Sequence, residues 1–270
     1  MTHLDNAEGM FLAPAGGSVM FQAFCRMFFT CYCPLTVEGH DQLPDPPFII
    51  CSNHTSHIDS AVLMTASGLP FSTFAMLGAR DYFFEAPRVR FVVSRFMNVI
   101  PIDRHAQHNS LRNSLAMCGD FLQRTRGNLI FYPEGTRSSN GDIHAFKKGA
   151  GMFAVELGVP VVPAYIEGAR GILAKGRFVP RPGTVTVRFG EPIRFASNSS
   201  DPVADRGIRK AAVELLEQRI RALCHNPPAG VLAGLPKPGS PAEERQTTIS
   251  IAPVARPGQN TKGRRLSGTP

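Results

Sequence analysis

At 270 residues and 43% hydrophobic content, the chain is long enough for one large α/β domain or two small ones, with ample material for a core. Its net charge of +8 points to an anionic partner: nucleic acid, a membrane surface or a phosphorylated substrate. The absence of Trp, with only 4 Tyr beside 19 Phe, weighs against a base-stacking platform, and a run of about 18 uncharged apolar residues, as a transmembrane helix needs, does not occur.

The six cysteines (25, 31, 33, 51, 118 and 224) include no C-x2-C pair, and Cys51 and Cys118 fall inside apolar runs. They read as reduced structural thiols in a cytosol-facing protein. No Lys or Arg precedes Arg26, so the N-terminus lacks the basic region of a secretory signal.

Residues 1–17 read as a flexible leader. Over 18–34, Phe21, Phe24, Cys25, Phe28, Phe29 and Tyr32 recur at helical spacing on one face. Met20, Met27 and Cys31 extend the apolar surface around most of the circumference. Two readings follow: a helix packed on the protein's own core, or an in-plane, monotopic membrane anchor. The anchor is the expectation taken forward.

From residue 35 to 194, short apolar runs alternate with helical ones. Strands are predicted at 48–51, 73–77, 99–102, 129–132, 161–166 and 184–189, and helices at 58–66, 110–126, 146–157 and 208–223. Alternation of this kind predicts a single α/β domain with a mainly parallel sheet flanked by helices. Residues 227–270 carry eight Pro, six Gly and six basic against two acidic residues. The segment from 225 to 270 is therefore expected to be a disordered basic tail.

The chemistry-bearing residues gather after predicted strands. Asn53-His54-Thr55-Ser56-His57-Ile58-Asp59-Ser60 follows the first of them, where open α/β sheets place their sites. On a regular helix, residues five apart lie about 140° apart around the axis. His54 and Asp59 can therefore meet only if His54 lies in the turn and Asp59 in the first helical turn, with Thr55 or Ser56 as the expected cap. In that geometry Asp59 fixes one imidazole tautomer and leaves the other nitrogen as a general base. His57 is a competing base, expected to point away.

A second group, Phe131-Tyr132-Pro133-Glu134-Gly135-Thr136-Arg137, sets a carboxylate, a flexible backbone and a guanidinium suited to phosphate at another strand end. Ile102-Asp103-Arg104 adds a second Arg, and Lys147 stands ahead of a predicted helix. Together these residues predict an anion site next to a general base. A serine hydrolase would need a G-x-S-x-G elbow, which the sequence lacks.

These motifs resemble those of the glycerolipid acyltransferase family, whose best-known members are the 1-acylglycerol-3-phosphate (lysophosphatidate) acyltransferases. N-H-x4-D, I-D-R, F-x-P-E-G-T-R-S and V-P-V-V-P (159–163) occur in that family's order, over about residues 35–193. The resemblance implies an acyltransferase domain at 35–224. It implies that His54, assisted by Asp59, activates the sn-2 hydroxyl of 1-acylglycerol-3-phosphate for attack on an acyl thioester, giving phosphatidate for phospholipid synthesis. It further implies that Glu134, Gly135, Thr136, Arg137 and Arg104 bind the acceptor and its phosphate, and that Pro163 lines the pocket. No metal or cofactor is implied beyond acyl-CoA or acyl-carrier protein as co-substrate. The implied partners are a lysophospholipid and the cytoplasmic face of a membrane, not nucleic acid.

The sequence departs from the family pattern at Arg80, where many relatives have Lys, and over 91–96, which lacks a glycine. Those departures leave a second lysophospholipid or a lyso-aminolipid open as the acceptor. A lipid hydrolase or thioesterase is the more distant alternative.

Overall fold

The computed structural model describes residues 10–236, apart from 11, 84–86, 104–107, 175, 178, 196–201, 227, 229, 233 and 234. The elements in chain order are α1 (Ala15–Cys31), β1 (Leu35–Glu38), β2 (Ile49–Ser52), α2 (Asp59–Ser67), β3 (Phe74–Ala79), α3 (Arg80–Phe83), α4 (Pro87–Phe96) and β4 (Asn98–Ile102). They continue with α5 (His108–Thr125), β5 (Asn128–Phe131), α6 (Gly149–Glu156), β6 (Val161–Glu167), α7 (Ala169–Ile172), β7 (Val185–Phe189), α8 (Pro202–His225) and β8 (Val231–Leu232).

One eight-stranded sheet runs in the order β4-β3-β5-β2-β6-β7-β1-β8. β4, β3, β5, β2 and β6 are parallel neighbours, as are β1 and β7; β7 is antiparallel to β6, and β8 to β1. The predicted, mainly parallel α/β sheet is therefore present. β2 lies between β5 and β6 and all four of its residues are buried, as a strand covered on both faces requires. Its alternate residues serve two cores. Ile50 packs with Phe29, Val62 and Leu63 beneath α1 and α2, while Ile49 and Cys51 pack with Phe121, Phe153 and Leu216 beneath α5, α6 and α8.

α1 packs on the core with one side and leaves a second apolar side exposed. Cys25 and Phe29 are buried, and Phe21 meets Phe71 edge-on at 5.7 Å. The opposite side leaves Met20 71%, Phe24 54% and Met27 60% exposed. A core-packed helix normally turns polar residues outward, so this second apolar face calls for its own explanation.

Two boundaries need correction. The expected leader is structured near its end: α1 starts at Ala15, and Ala13 donates its N–H to Asn98 Oδ1 at 2.9 Å. Residues 1–9 of that leader lie outside the described residues. The expected disorder from 225 onward also fails at its start. β8 covers the edge of β1, which would otherwise present unpaired backbone groups, and Arg26 donates to Pro236 O at 2.9 Å. The rest of that tail, 237–270, lies outside the described residues.

Candidate active site

The C-terminal ends of β2, β3, β4 and β5 open toward one cavity of about 370 Å³. The turn after β2 brings His54 to its mouth. His54 Nδ1 lies 2.8 Å from Asp59 Oδ2, and Asp59 is fully buried. The same oxygen accepts the N–H of Thr55 at 2.7 Å and of Ser56 at 2.8 Å. Asp59 is the first residue of α2, so its carboxylate also sits at the positive end of that helix.

The predicted meeting of His54 in the turn with Asp59 in the first helical turn is thus present. The predicted cap is not. Ile58 occupies the cap position with no side-chain cap bond, and Ser56 Oγ instead donates to Leu173 O at 2.6 Å. The helix gathers the preceding turn through Asp59, reversing the expected direction of the bond.

The second motif holds the first in place. Glu134 is 3% exposed; its Oε1 accepts the N–H of His54 and its Oε2 that of His144, both at 2.9 Å. Ser138 N–H donates to His54 O at 2.7 Å. The backbone of His54 is therefore gripped from both sides by the segment after β5. Expected as an acceptor ligand, Glu134 has both oxygens committed to backbone donors and does not face the cavity. Burial pushes its carboxyl above the usual glutamate range, and the N–H donors of His144 and His54 partly offset that.

Tyr132 is a site residue that the motif reading passed over. Its ring stacks on that of His54, with centroids 3.9 Å apart and planes 14° apart. Its hydroxyl meets Ser60 Oγ at 2.8 Å. Burial, reinforced by the Asp59 charge and opposed by the Ser60 hydrogen bond, raises its phenol well above the usual value. The signal was present in the sequence, as the one polar-tipped ring at the end of an otherwise apolar strand.

Gly135, Thr136, Arg137, His57, Asp103 and Lys147 complete the polar end of the cavity. Gly135 has φ +68°, and a Cβ there would lie 2.9 Å from Lys147 Cε, so glycine lets the turn pass against the lysine stem. His57 lines the cavity, and its Nε2 contacts the Arg137 guanidinium. Desolvation and then the Arg137 charge lower the His57 pKa, which keeps the ring neutral and able to accept from the arginine. Arg137 also lies over the Tyr82 ring at 5.6 Å.

Arg80, where the sequence departs from the family pattern, donates to Asp103 Oδ1 at 3.0 Å. Arg104 lies outside the described residues. Pro163 is not on the cavity wall: it pairs with Cys51 inside the sheet, and its ring lies 3.1 Å from where a Cβ on Gly190 would stand. Behind the polar mouth the wall is apolar, formed by Met76, Leu77, Phe83, Val93, Met97 and Ile102. The arrangement joins a carboxylate-held imidazole and two cationic side chains to an apolar recess.

The Acyltransferase family model matches residues 34–167. The chain is 32% identical over 162 residues to the 1-acyl-sn-glycerol-3-phosphate acyltransferase LPAT1, chloroplastic, of Arabidopsis thaliana, covering 59% of this chain and 43% of that protein. It is 32% identical over 147 residues to the human 1-acyl-sn-glycerol-3-phosphate acyltransferase beta, covering 54% and 51%. It thus spans about half the length of these curated relatives. The crystal structure of the 1-acyl-sn-glycerophosphate (LPA) acyltransferase PlsC from Thermotoga maritima superimposes with a TM-score of 0.54 at 26% identity, covering 77% of this chain and 80% of that one. With both signature motifs inside the matched segment and the fold shared with a solved member, residues 34–167 of the chain belong to the acyltransferase family.

Proposed function

We propose that the chain transfers a fatty acyl group from acyl-CoA or acyl-carrier protein to the sn-2 hydroxyl of 1-acylglycerol-3-phosphate, giving phosphatidate. The observation that carries this reading is the 2.8 Å contact of His54 with buried Asp59 at the mouth of an apolar cavity that also bears Arg137 and Lys147. Nδ1–H of His54 donates to Asp59, which leaves Nε2 to accept the proton of the acceptor hydroxyl. The freed oxygen attacks the thioester carbonyl, and the tetrahedral intermediate collapses with loss of the thiolate. The imidazolium returns its proton to that sulfur, so the enzyme forms no covalent intermediate. This chemistry draws on no metal and no prosthetic group.

Arg137 and Lys147 receive the acceptor phosphate, with Arg104 as a further contributor, and the apolar recess takes an acyl chain. Thr136 and the Gly135 backbone border the acceptor. Glu134 acts as a positioning residue through the His54 backbone. The exposed Met20, Phe24 and Met27 face of α1 lies in one leaflet on the cytoplasmic side of a membrane. Among the described residues no helix is long and apolar enough to cross a membrane, consistent with in-plane contact.

The test is thiol release from acyl-CoA in the presence of lysophosphatidate. His54→Ala and Asp59→Asn are expected to lower kcat by about 10²–10⁴-fold. Arg137→Ala is expected chiefly to raise the acceptor KM. Full activity of His54→Ala would sink the mechanism. The Arg80–Asp103 pair favours keeping a second acceptor in view, because it ties up the cation at the position of the family's lysine. A panel of lysophospholipid and lyso-aminolipid acceptors, read by product mass, decides between them.

A further inference from the structure

The segment 168–183 (GARGILAKGRFVPRPG) contains four basic residues and no acidic one. Arg170 is committed to Ser139 O at 2.6 Å. Arg177 and Arg181, by contrast, point two charges into solvent, and Val179 between them is 76% exposed. A valine held clear of the protein between two arginines contributes nothing to the core.

The loop is nevertheless firmly seated. Arg181 N–H donates to Ile172 O at 2.9 Å and Arg177 N–H to Ala174 O at 3.1 Å. Tyr32 Oη donates to Pro180 O at 3.2 Å, which docks the loop against the C-terminal end of α1. From Tyr32 a ladder of rings runs along α1 to Phe28 at 5.4 Å and on to exposed Phe24 at 6.1 Å. The loop and the exposed face of α1 are therefore one continuous surface. α1 itself carries Arg26 and no acidic residue, so the whole surface is apolar and cationic. That pairing matches a bilayer with anionic head groups, where acyl chains meet the apolar side chains and phosphates meet the arginines.

We infer that Arg177, Val179 and Arg181 form a second bilayer-contact element beside α1, with the two arginines binding anionic lipid head groups and Val179 entering the interface. The assignment deepens the membrane-contact reading above and rests on it. It also locates the site relative to the lipid. At the loop's root Ser56 Oγ donates to Leu173 O and Ser56 pairs with Ala174, while Ser56 N–H is held by Asp59. The root of the loop, not its arginines, is thus a single residue removed from the carboxylate that orients His54.

The experiment is co-sedimentation of the full chain with phosphatidylcholine vesicles, with and without phosphatidylglycerol, in the absence of substrate. The wild type is expected to bind both and to prefer the anionic vesicles. Arg177→Gln combined with Arg181→Gln is expected to lose on the order of tenfold in binding to the anionic vesicles and to keep its binding to pure phosphatidylcholine. Added salt should erase the same preference in the wild type. Equal binding of the wild type to both vesicles, or an undiminished preference in the arginine variant, overturns the loop assignment alone. No binding to either vesicle overturns the membrane-contact reading as a whole.

Discussion

The imidazole of His54 lies flat on the phenol ring of Tyr132, 3.9 Å away, while the phenol oxygen is held by Ser60. In the proposed mechanism, this stack places the electron-rich face of a ring against the group that becomes an imidazolium during proton transfer. An aromatic face is worth roughly 0.5–2 kcal/mol to a cation. Tyr132→Leu is therefore expected to lower kcat by about fivefold to tenfold, whereas Tyr132→Phe retains the stack and most of the rate. The hydroxyl has a separate role. Ser60→Ala strands the buried phenol O–H and is expected to cost about 1–3 kcal/mol of stability, and Tyr132→Phe in that background should recover most of it. Because the phenol is held well above its usual pKa, it stays protonated at neutral pH and beyond. The alkaline sides of the wild-type and Tyr132→Phe rate profiles should accordingly superimpose. Additive losses in the double variant would remove the case for a Ser60–Tyr132 unit.

Glu134 gives a pH dependence whose sign is fixed by its surroundings. Its carboxyl binds a proton more readily in the folded protein than in the unfolded chain, because burial outweighs its two N–H donors. Between the unfolded and folded values the native state holds more protons, so this group's contribution to stability falls as pH rises through that window. The window starts near the ordinary glutamate value of about 4.3 and extends upward from it. Glu134→Gln abolishes the titration and turns an amide donor toward the N–H of His54 or His144. It is expected to be less stable than wild type at neutral pH by about 1–3 kcal/mol, with a larger deficit under mild acid. Thermal unfolding of both proteins across that range measures the difference, and a pH-independent gap would contradict the assignment. The variant should also lose kcat, since Glu134 Oε1 holds the backbone of His54.

What could be read in the sequence was what is local in it. His54 and Asp59 are five residues apart, and the strand-turn-helix around them fixes how they meet. The parallel sheet was legible for the same reason, since buried strands such as β2 leave continuous apolar runs. The hold of Glu134 on the His54 backbone could not be read, because its partners are set by folding, with His54 lying 80 residues away in the chain. β8 was missed because two residues among Gly and Pro carry no periodic signal, and their pairing belongs to β1. α4 escaped because Arg88, Arg90 and Arg95 break up its apolar pattern. The exposed face of α1 was legible as composition, but which of its phenylalanines the core would claim depended on Phe71 and Phe96.

The crossing of α1 with α4 offers a way to perturb the apolar recess from outside it. A Cβ on Gly17 would lie 1.9 Å from Arg95 O, so the two helices approach at backbone distance. Two residues either side of Arg95, Val93 and Met97 line the recess, and Phe96 packs on Phe21 at 5.7 Å. Gly17→Ala must push the helices apart, and overpacking of this kind costs about 1–3 kcal/mol. Gly16→Ala is the matched control, because nothing stands within 4 Å of its Cβ. By helix propensity alone that change stabilises by roughly 0.5–1 kcal/mol. The pair is thus expected to move in opposite directions in thermal unfolding. If the recess takes the acyl chain, Gly17→Ala should also change the ratio of rates for long and short acyl donors, while Gly16→Ala leaves that ratio at its wild-type value. Equal stability of the two variants would show that α1 does not bear on α4 as closely as Gly17 requires. An unchanged donor ratio in a destabilised Gly17→Ala would separate the packing of α4 from the choice of acyl chain.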